Sequence, residues 1–213
     1  MRCMRYRSGN RAAKIVLLTL LFSSCSDFLV EEPQTALTQE QVFGELNNIE
    51  PLVIGLYTSW RNTRKDRGGF MFTLGTDEAQ QGAYQIRTEA DQGGLDRYNG
   101  FLAPSNTSLA QQWDSRWPII SAASTAISSL KSNQQNPGRR NQLQGEASFI
   151  RAALNFELTQ YWGPIPVIDL DKLSEFGTAR QPLAVVYESI IKDLQVAVEF
   201  LPNTQADPRR ATK

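Results

Sequence analysis

Residues 145–167 read GEASFIRAALNFELTQYWGPIPV, and this stretch carries the strongest helical signal of the chain. Apolar residues recur at helical spacing from Glu146 to Trp162 and cover more than half of the circumference. They are Phe149, Ala152, Ala153, Phe156, Leu158 and Tyr161. A helix that is apolar over so wide a face is buried between neighbours. Gly163 and Pro164 end it, and a short extended exit follows at 165–168. The stretch therefore predicts a mainly α-helical protein.

Further amphipathic helices are predicted on both sides of this one. Before it, apolar residues recur every three or four positions over 49–60 and again over 113–130. After it, Pro182 opens a helix at its first turn. The apolar stripe of this last helix consists of Val186, Ile190, Leu194, Ala197 and Leu201. Helix pairs joined by short turns predict stacked helical hairpins of the tetratricopeptide type.

Local signals predict how these helices begin and bend. A capping box begins at Thr38, and Asn48 can cap the helix that follows. Gly55 on that helix predicts a close packing contact. Pro118 predicts a kink or the start of a new helix, because an interior proline costs about 3 kcal/mol. Residues 131–140 are polar, contain Pro-Gly and are interpreted as a turn.

A long segment between the helices has no sustained period. Glycine is frequent over residues 66–108, with polar and aromatic residues between. An irregular stretch of this length inside a compact domain is more often functional than not. We therefore expect ligand contacts from this segment.

The N-terminus has the layout of a secretory signal. Five basic residues precede an apolar run at 15–22, and two serines then lead to Cys25. The run is shorter than the roughly 20 residues that span a bilayer. The Phe-Ser-Ser-Cys ending resembles a bacterial lipobox, in which the cysteine is acylated. The alternative is a plain secretory signal cleaved near Ser24, with Cys25 incidental.

Three regions follow from this interpretation. Residues 1–24 are a lipoprotein signal peptide, and residues 25–37 are a lipidated, acidic tether. The acidic residues of the tether form either a solvated linker or a signal for export to the cell surface. Residues 38–213 are expected to be the truncated N-terminal part of a longer helical domain.

Composition excludes several classes of function. The chain has no histidine, and its cysteines are Cys3 and Cys25 alone, so the commonest general base and metal ligands are missing. No cofactor or metal is expected. Removing residues 1–24 takes five of 22 basic residues and none of the 22 acidic ones, which leaves 17 against 22 and a net charge of −5. Such a chain is a poor candidate for binding nucleic acid.

Four segments occur in an order and spacing typical of one family. They are SCSDFLVEEPQ at 24–34, the stretch at 145–167, residues 180–202 and the terminal RATK at 210–213. Together they resemble the N-terminal part of the SusD/RagB lipoproteins. The resemblance implies a mainly α-helical, tetratricopeptide-like fold and an outward-facing, lipid-anchored protein of the outer membrane. It also implies a binding protein without enzymatic activity, which takes an oligosaccharide or similar nutrient and caps a TonB-dependent transporter of the SusC type.

The resemblance also directs attention to candidate ligand residues. The Thr-Asp-Glu segment at 76–78 is similar to one that precedes glycan-contacting loops in some relatives. Sugars are bound by flat aromatic faces and planar polar groups, which Asp77, Tyr84 and Arg87 can supply. The alternative is that Asp77 and Glu78 cap a helix while Tyr84 packs inward.

Two further pairs of residues bear on which glycan is bound and on which aromatic side chains belong to the core. Gln81 and Ala83 stand where starch-binding relatives carry tryptophan, which argues against starch as the ligand. Trp113 and Trp117 lie on a continuing apolar stripe, so core packing is favoured over a sugar platform.

Two other classes of function remain open. A helical-repeat scaffold for envelope assembly would bind no small ligand. A glycoside hydrolase would need two facing carboxylates at a defined separation, and the sequence has no motif for such a pair.

Overall fold

Helices dominate the computed structural model, which describes residues 43–65, 73–80, 90–98, 102–173 and 177–213. Its helices are α1 (Leu46–Thr63), α2 (Ala90–Arg97), α3 (Thr107–Ser132), α4 (Pro137–Trp162) and α5 (Leu183–Phe200). Within the described ranges, extended segments meet only at isolated bridges. The chain divides into units Met1–Thr38 and Gln39–Lys213, and every described residue belongs to the second. The prediction of a mainly α-helical fold is confirmed.

Helix α4 forms the centre of the core, because it packs against α1, α3 and α5. Its side chains at Leu143, Ile150, Leu154 and Leu158 are fully buried. Burying each such leucine or isoleucine contributes about 1.5–3 kcal/mol. The prediction that this helix is enclosed by its neighbours is therefore confirmed.

The composition of the buried face of α4 differs from the prediction. Phe156 and Tyr161 are 45% and 38% exposed, although their spacing put them in the apolar face. Charged Glu146, Arg151 and Glu157 take buried positions instead. Each of the three is paired with a charged partner on another segment, which offsets the cost of its burial.

Helix α4 also begins nine residues before the predicted start at Glu146. Asn136 caps it, since its Oδ1 accepts from the amide of Arg139 at 3.2 Å, and Pro137 occupies the first turn. The turn predicted over residues 131–140 is therefore shorter than expected, because helix occupies 131–132 and 137–140. The connection between α3 and α4 spans only residues 133–136, so these helices form a tight hairpin.

Two predictions about α1 were wrong. Asn48 lies inside the helix, whose N-cap is Glu45, and the Leu46 amide donates to Gln135 Oε1 from the α3–α4 turn at 3.1 Å. Gly55 faces open space, with no atom within 4 Å of an added Cβ. A close-packed glycine on α4 is Gly145, where an added Cβ would lie 3.2 Å from the Leu201 amide nitrogen.

Helix α3 runs unbroken through Pro118, so the alternative of a new helix was wrong. The proline is exposed, while the next residues, Ile119 and Ile120, are buried on the opposite side. Burial of Ile119 and Ile120 offsets the roughly 3 kcal/mol that an interior proline costs. Trp113 and Trp117 pack against the core, which confirms core packing over a sugar platform.

Helix α5 begins at Leu183, with Pro182 as its N-cap rather than inside its first turn. The extended exit from α4 meets the chain before α5, because the Gln181 amide donates to the Ile165 carbonyl at 2.9 Å. Leu194 was predicted to be buried and is 39% exposed. Asp193 is buried in its place, because Arg151 binds its carboxylate.

Membrane crossing and several residue predictions are separate from the packing of these helices. No helix in the described ranges has the length and apolar character needed to cross a membrane. Several sequence predictions fall outside the described residues. They are the signal peptide, Cys25, the acidic tether, the capping box at Thr38, Tyr84 and Arg87.

Candidate functional site

The predicted ligand residue Asp77 lies in an exposed loop at residues 73–80. The Thr76 hydroxyl donates to the Thr73 carbonyl at 2.6 Å and accepts from the Glu78 amide at 3.2 Å. These bonds fold the loop into a hydroxyl-stabilised turn that presents Asp77 at its apex. The alternative that Asp77 and Glu78 cap a helix is wrong, since residues 73–80 include no helix.

Tyr98 is the aromatic residue that supports this loop. It follows α2 and has a left-handed backbone with φ 51°, and its hydroxyl donates to the Gly75 carbonyl at 3.3 Å. Gly75 has φ +79°, and an added Cβ would lie 2.7 Å from the Leu95 carbonyl oxygen. Only glycine fits this position. The Tyr98 side chain is 67% exposed, so an open aromatic surface lies beside the loop that carries Asp77.

An aromatic surface near a carboxylate is suited to a hydroxylated ligand. The aromatic face packs against C–H groups, while the carboxylate accepts from hydroxyls. Sequence spacing does not identify Tyr98, because the role of this residue in supporting the loop depends on its contact with Gly75, which lies 23 residues earlier. Its location in the glycine-rich 66–108 segment was the available signal.

A buried carboxylate, Glu146, holds the end of the chain against α4. Glu146 is 0% exposed and accepts from Arg210 Nε at 2.9 Å, Arg210 Nη2 at 2.8 Å and the Tyr57 hydroxyl at 3.0 Å. The Ala211 amide in turn donates to the Tyr57 oxygen at 3.0 Å. Burial, with the Glu146 charge nearby, raises the pKa of Tyr57 above its usual range. The network thus joins the RATK segment to α4.

A second buried carboxylate, Glu157, joins α1, α3 and α4. It accepts from Trp60 Nε1 at 3.0 Å and from Arg116 Nε at 3.0 Å, and it also pairs with Arg64. Burial raises the pKa of the neighbouring Tyr161 to about 12. Both Glu146 and Glu157 therefore serve as acceptors for arginine. In the described ranges, no group of three or more acidic or cysteine side chains is arranged to hold a metal.

A cleft of about 970 Å³ lies between α1 and residues 207–210. Tyr57 and Trp60 contribute aromatic surface, and most of its charged side chains are basic. Three of its arginines are ion-paired: Arg64 with Glu157, Arg209 with Asp207, and Arg210 with Glu146. The cleft therefore carries less uncompensated charge than its arginine content suggests.

Comparison with known proteins identifies the family. The family described as "Starch-binding associating with outer membrane", of SusD-like type, matches residues 27–213. SusD-like protein P2 of Formosa agariphila is 31% identical over 205 residues, which are 93% of this chain and 39% of that protein. The chain thus spans about two fifths of the length of this curated relative.

Solved structures show the same fold. A laminarin-binding SusD-like protein superposes with a TM-score of 0.67 at 19% identity, over 78% of this chain and 37% of its own. A SusD-like protein from Bacteroides fragilis superposes with a TM-score of 0.68 at 17% identity, over 85% of this chain and 35% of its own. These likenesses confirm the tetratricopeptide-like helical architecture. The chain belongs to the SusD-like family.

Proposed function

We propose that the protein is a surface lipoprotein that binds an oligosaccharide or similar nutrient and delivers it to a TonB-dependent transporter of the SusC type. Membership of a starch-binding, outer-membrane-associated family, matched over residues 27–213, is the observation that carries this proposal. The exposed loop at 73–80, with Asp77 at its apex and Tyr98 beside it, supports a ligand surface on this part of the chain.

The ligand surface is proposed to consist of Asp77 and Tyr98 together with Tyr84 and Arg87. Asp77 accepts hydroxyl hydrogens, Arg87 donates in a planar fork, and the two tyrosines pack against sugar rings. Gln81 and Ala83 replace the tryptophans of starch-binding relatives, so we propose a glycan other than starch.

Affinity electrophoresis in gels containing laminarin, xyloglucan or starch tests this surface. Asp77→Ala and Tyr98→Ala should each weaken binding of the retained glycan about tenfold. A hydrogen bond to a charged group such as Asp77 contributes about 1.5–3 kcal/mol, an aromatic contact such as that of Tyr98 about 0.5–1.5 kcal/mol beyond its buried area, and 1.4 kcal/mol is a factor of ten. Glu199→Ala and Tyr187→Ala remove an exposed carboxylate and an exposed tyrosine from α5 and serve as matched controls. Equal binding by all four variants would contradict the proposed surface.

Anchoring is proposed to occur through acylated Cys25. Labelling cells with a fatty acid should modify the wild type and leave Cys25→Ser unlabelled. The acidic tether is tested separately, by replacing Asp27, Glu31 and Glu32 with amides. If the tether directs export to the surface, protease added to intact cells should cleave the wild type and spare this variant.

We propose that the protein binds its glycan without cleaving it. The buried carboxylates Glu146, Glu157 and Asp193 each accept from arginine, so these three are not free to act as an acid–base pair. Incubation with a bound oligosaccharide should release no new reducing ends. Release of reducing ends by purified protein would contradict this proposal.

The alternative function is a helical-repeat scaffold for envelope assembly with no small-molecule ligand. One observation favours a protein contact of this kind. Helix α5 exposes an apolar stripe, separate from its buried face, of Leu183, Tyr187, Ile191, Leu194 and Val198. Exposed apolar stripes of this length are typical of contact surfaces. The scaffold predicts an assembly partner and no affinity for any glycan.

A further inference from the structure

The loop at residues 73–80 closes on itself at its base. An isolated bridge joins Leu74 to Ala79, and residues 75–78 between them form the tip that carries the exposed Asp77. Exposed loop tips are among the least stable parts of a fold unless contacts with other elements hold them. The position of the Asp77 carboxylate therefore depends on what the backbone of this tip touches.

The C-terminal end of α2 supplies such a contact. Gly75 has φ +79°, and an added Cβ there would lie 2.7 Å from the Leu95 carbonyl oxygen and 2.9 Å from the Tyr98 hydroxyl. The Tyr98 hydroxyl also donates to the Gly75 carbonyl at 3.3 Å. Alanine at position 75 would need a left-handed backbone, and it would push the loop away from a backbone oxygen that cannot rotate aside. The tip and the end of α2 thus fit together only with glycine at this position.

Tyr98 has a backbone conformation that is uncommon for tyrosine. Its φ is 51°, and its amide donates to the Gly94 carbonyl at 3.0 Å, which closes the last turn of α2. Left-handed residues other than glycine cost free energy, and they are concentrated at sites where the conformation serves a function. The Tyr98 side chain is 67% exposed, so burial does not offset this cost. One residue thus combines an open aromatic surface with a hydrogen bond to the loop backbone.

Helix α2 is joined to the rest of the protein through α3. The two helices pack together, and Gly94 near the end of α2 is buried. Helix α3 begins at a buried cap, because the Asn106 side chain accepts from the Leu109 amide at 3.1 Å. A continuous series of contacts therefore leads from α3 through α2 and Tyr98 to Gly75, two residues before Asp77.

We propose that Gly75 and the Tyr98 hydroxyl are positioning groups, which fix the Asp77 carboxylate relative to the aromatic ring of Tyr98. The separation of the carboxylate and the ring then determines which arrangement of hydroxyls and C–H faces on a glycan reaches both. A loop that is already fixed also loses less conformational freedom when the ligand binds. The inference rests on the proposed function, because it requires Asp77 and Tyr98 to contact the ligand.

The test uses the full-length protein in affinity gels that contain laminarin or xyloglucan. Gly75→Ala leaves the carboxylate and the ring in the protein but displaces the loop, so it should weaken binding about tenfold, as much as Asp77→Ala. Tyr98→Phe keeps the ring and loses only the hydroxyl, so it should weaken binding about threefold, less than Tyr98→Ala.

Two matched controls lie outside the loop and α2. Gly55→Ala adds the same methyl group on α1, where an added Cβ meets no atom within 4 Å. Tyr187→Phe removes a hydroxyl on α5 that accepts from Gln160 Nε2 at 3.0 Å. Both variants should bind the glycans as the wild type does.

Two further readouts separate positioning from a general loss of structure. The double variant Gly75→Ala/Asp77→Ala should bind like Asp77→Ala alone, because the loop position matters only through the carboxylate. In protein with isotope-labelled threonine, the heteronuclear NOE of the Thr76 amide should fall in Gly75→Ala and in Tyr98→Phe. The NOE of Thr159, which is buried in α4, should stay at its wild-type value in the same samples.

The outcomes distinguish this inference from the proposed function. Wild-type binding by Gly75→Ala beside weakened binding by Asp77→Ala would overturn the inference and leave the proposed function intact. Additive losses in the double variant would overturn it as well, since Gly75 would then act apart from Asp77. An unchanged Thr76 NOE in Gly75→Ala and Tyr98→Phe would overturn it whether or not a glycan binds. Wild-type binding by Asp77→Ala together with a lower Thr76 NOE in Gly75→Ala would contradict the proposed ligand surface but uphold the link between the loop and α2.

Discussion

Replacing Asp193 by asparagine should destabilise the protein strongly, because Asp193 neutralises a buried arginine. The two side chains are 5% and 6% exposed, and two hydrogen bonds of 2.7 and 2.5 Å join them. Arginine cannot lose its proton in a protein, so Asp193→Asn leaves a buried positive charge without its counter-ion. Removing one partner of a buried ion pair costs about 3–5 kcal/mol. We expect a loss of about 3 kcal/mol, because asparagine keeps part of the hydrogen bonding.

Urea unfolding followed by tryptophan fluorescence measures this loss as a lower midpoint at unchanged slope. The matched control is Asp207→Asn, since Asp207 also binds an arginine through two bonds, of 2.8 and 2.9 Å, but at the surface. Exposed pairs contribute little, so the control should unfold like the wild type. The double variant Arg151→Met/Asp193→Leu should recover most of the stability, because apolar side chains replace both charges. Equal unfolding midpoints for Asp193→Asn and Asp207→Asn would contradict the role assigned to the buried ion pair.

Three further predictions concern other parts of the core. Gly145→Val should lower the free energy of unfolding in urea by about 1–3 kcal/mol, because the valine side chain would press on Leu201, whereas Gly55→Ala on an exposed face should raise it by about 0.5–1 kcal/mol. Equal effects would contradict the packing described for α4 and α5. Leu158→Ala should cost about 2–5 kcal/mol, and a loss below 1 kcal/mol would show that this side chain is not in the core. Hydrogen bonding to Arg139 lowers the pKa of Glu50 below the usual range of a glutamate. The pair therefore stabilises the fold above the usual pKa, and its contribution disappears as pH falls through the lowered pKa. Arg139→Met should differ in stability from the wild type at neutral pH and converge with it in acid, and a constant difference would contradict the assignment.

Hydrophobic spacing was sufficient to predict the main helices. The pattern around Phe149 and Leu158 gave the course of α4 to its end at Trp162, and Gly163 marked the stop. The start of α4 was missed, because residues 137–145 are mostly polar and have no apolar period. Asn136 and Pro137 were the local signals for that start.

Tertiary partners explain what the sequence pattern could not provide. Asp193 is buried in place of Leu194 because its partner, Arg151, lies on another helix, 42 positions away. Glu146 and Glu157 are buried for the same reason. Asp77 was predicted from a family resemblance, while Tyr98 emerged only through its contact with Gly75. Periodicity detects apolar faces, but it carries no information about which distant charges will meet.

Purification of the full-length protein from its membrane in mild detergent, with Cys25 intact, tests the proposed delivery to a transporter. Mass spectrometry then identifies the proteins that copurify and their stoichiometry. We expect one TonB-dependent outer-membrane transporter in equal amount. Copurification of envelope assembly proteins instead, or of no partner at all, would contradict delivery to a transporter and favour the scaffold.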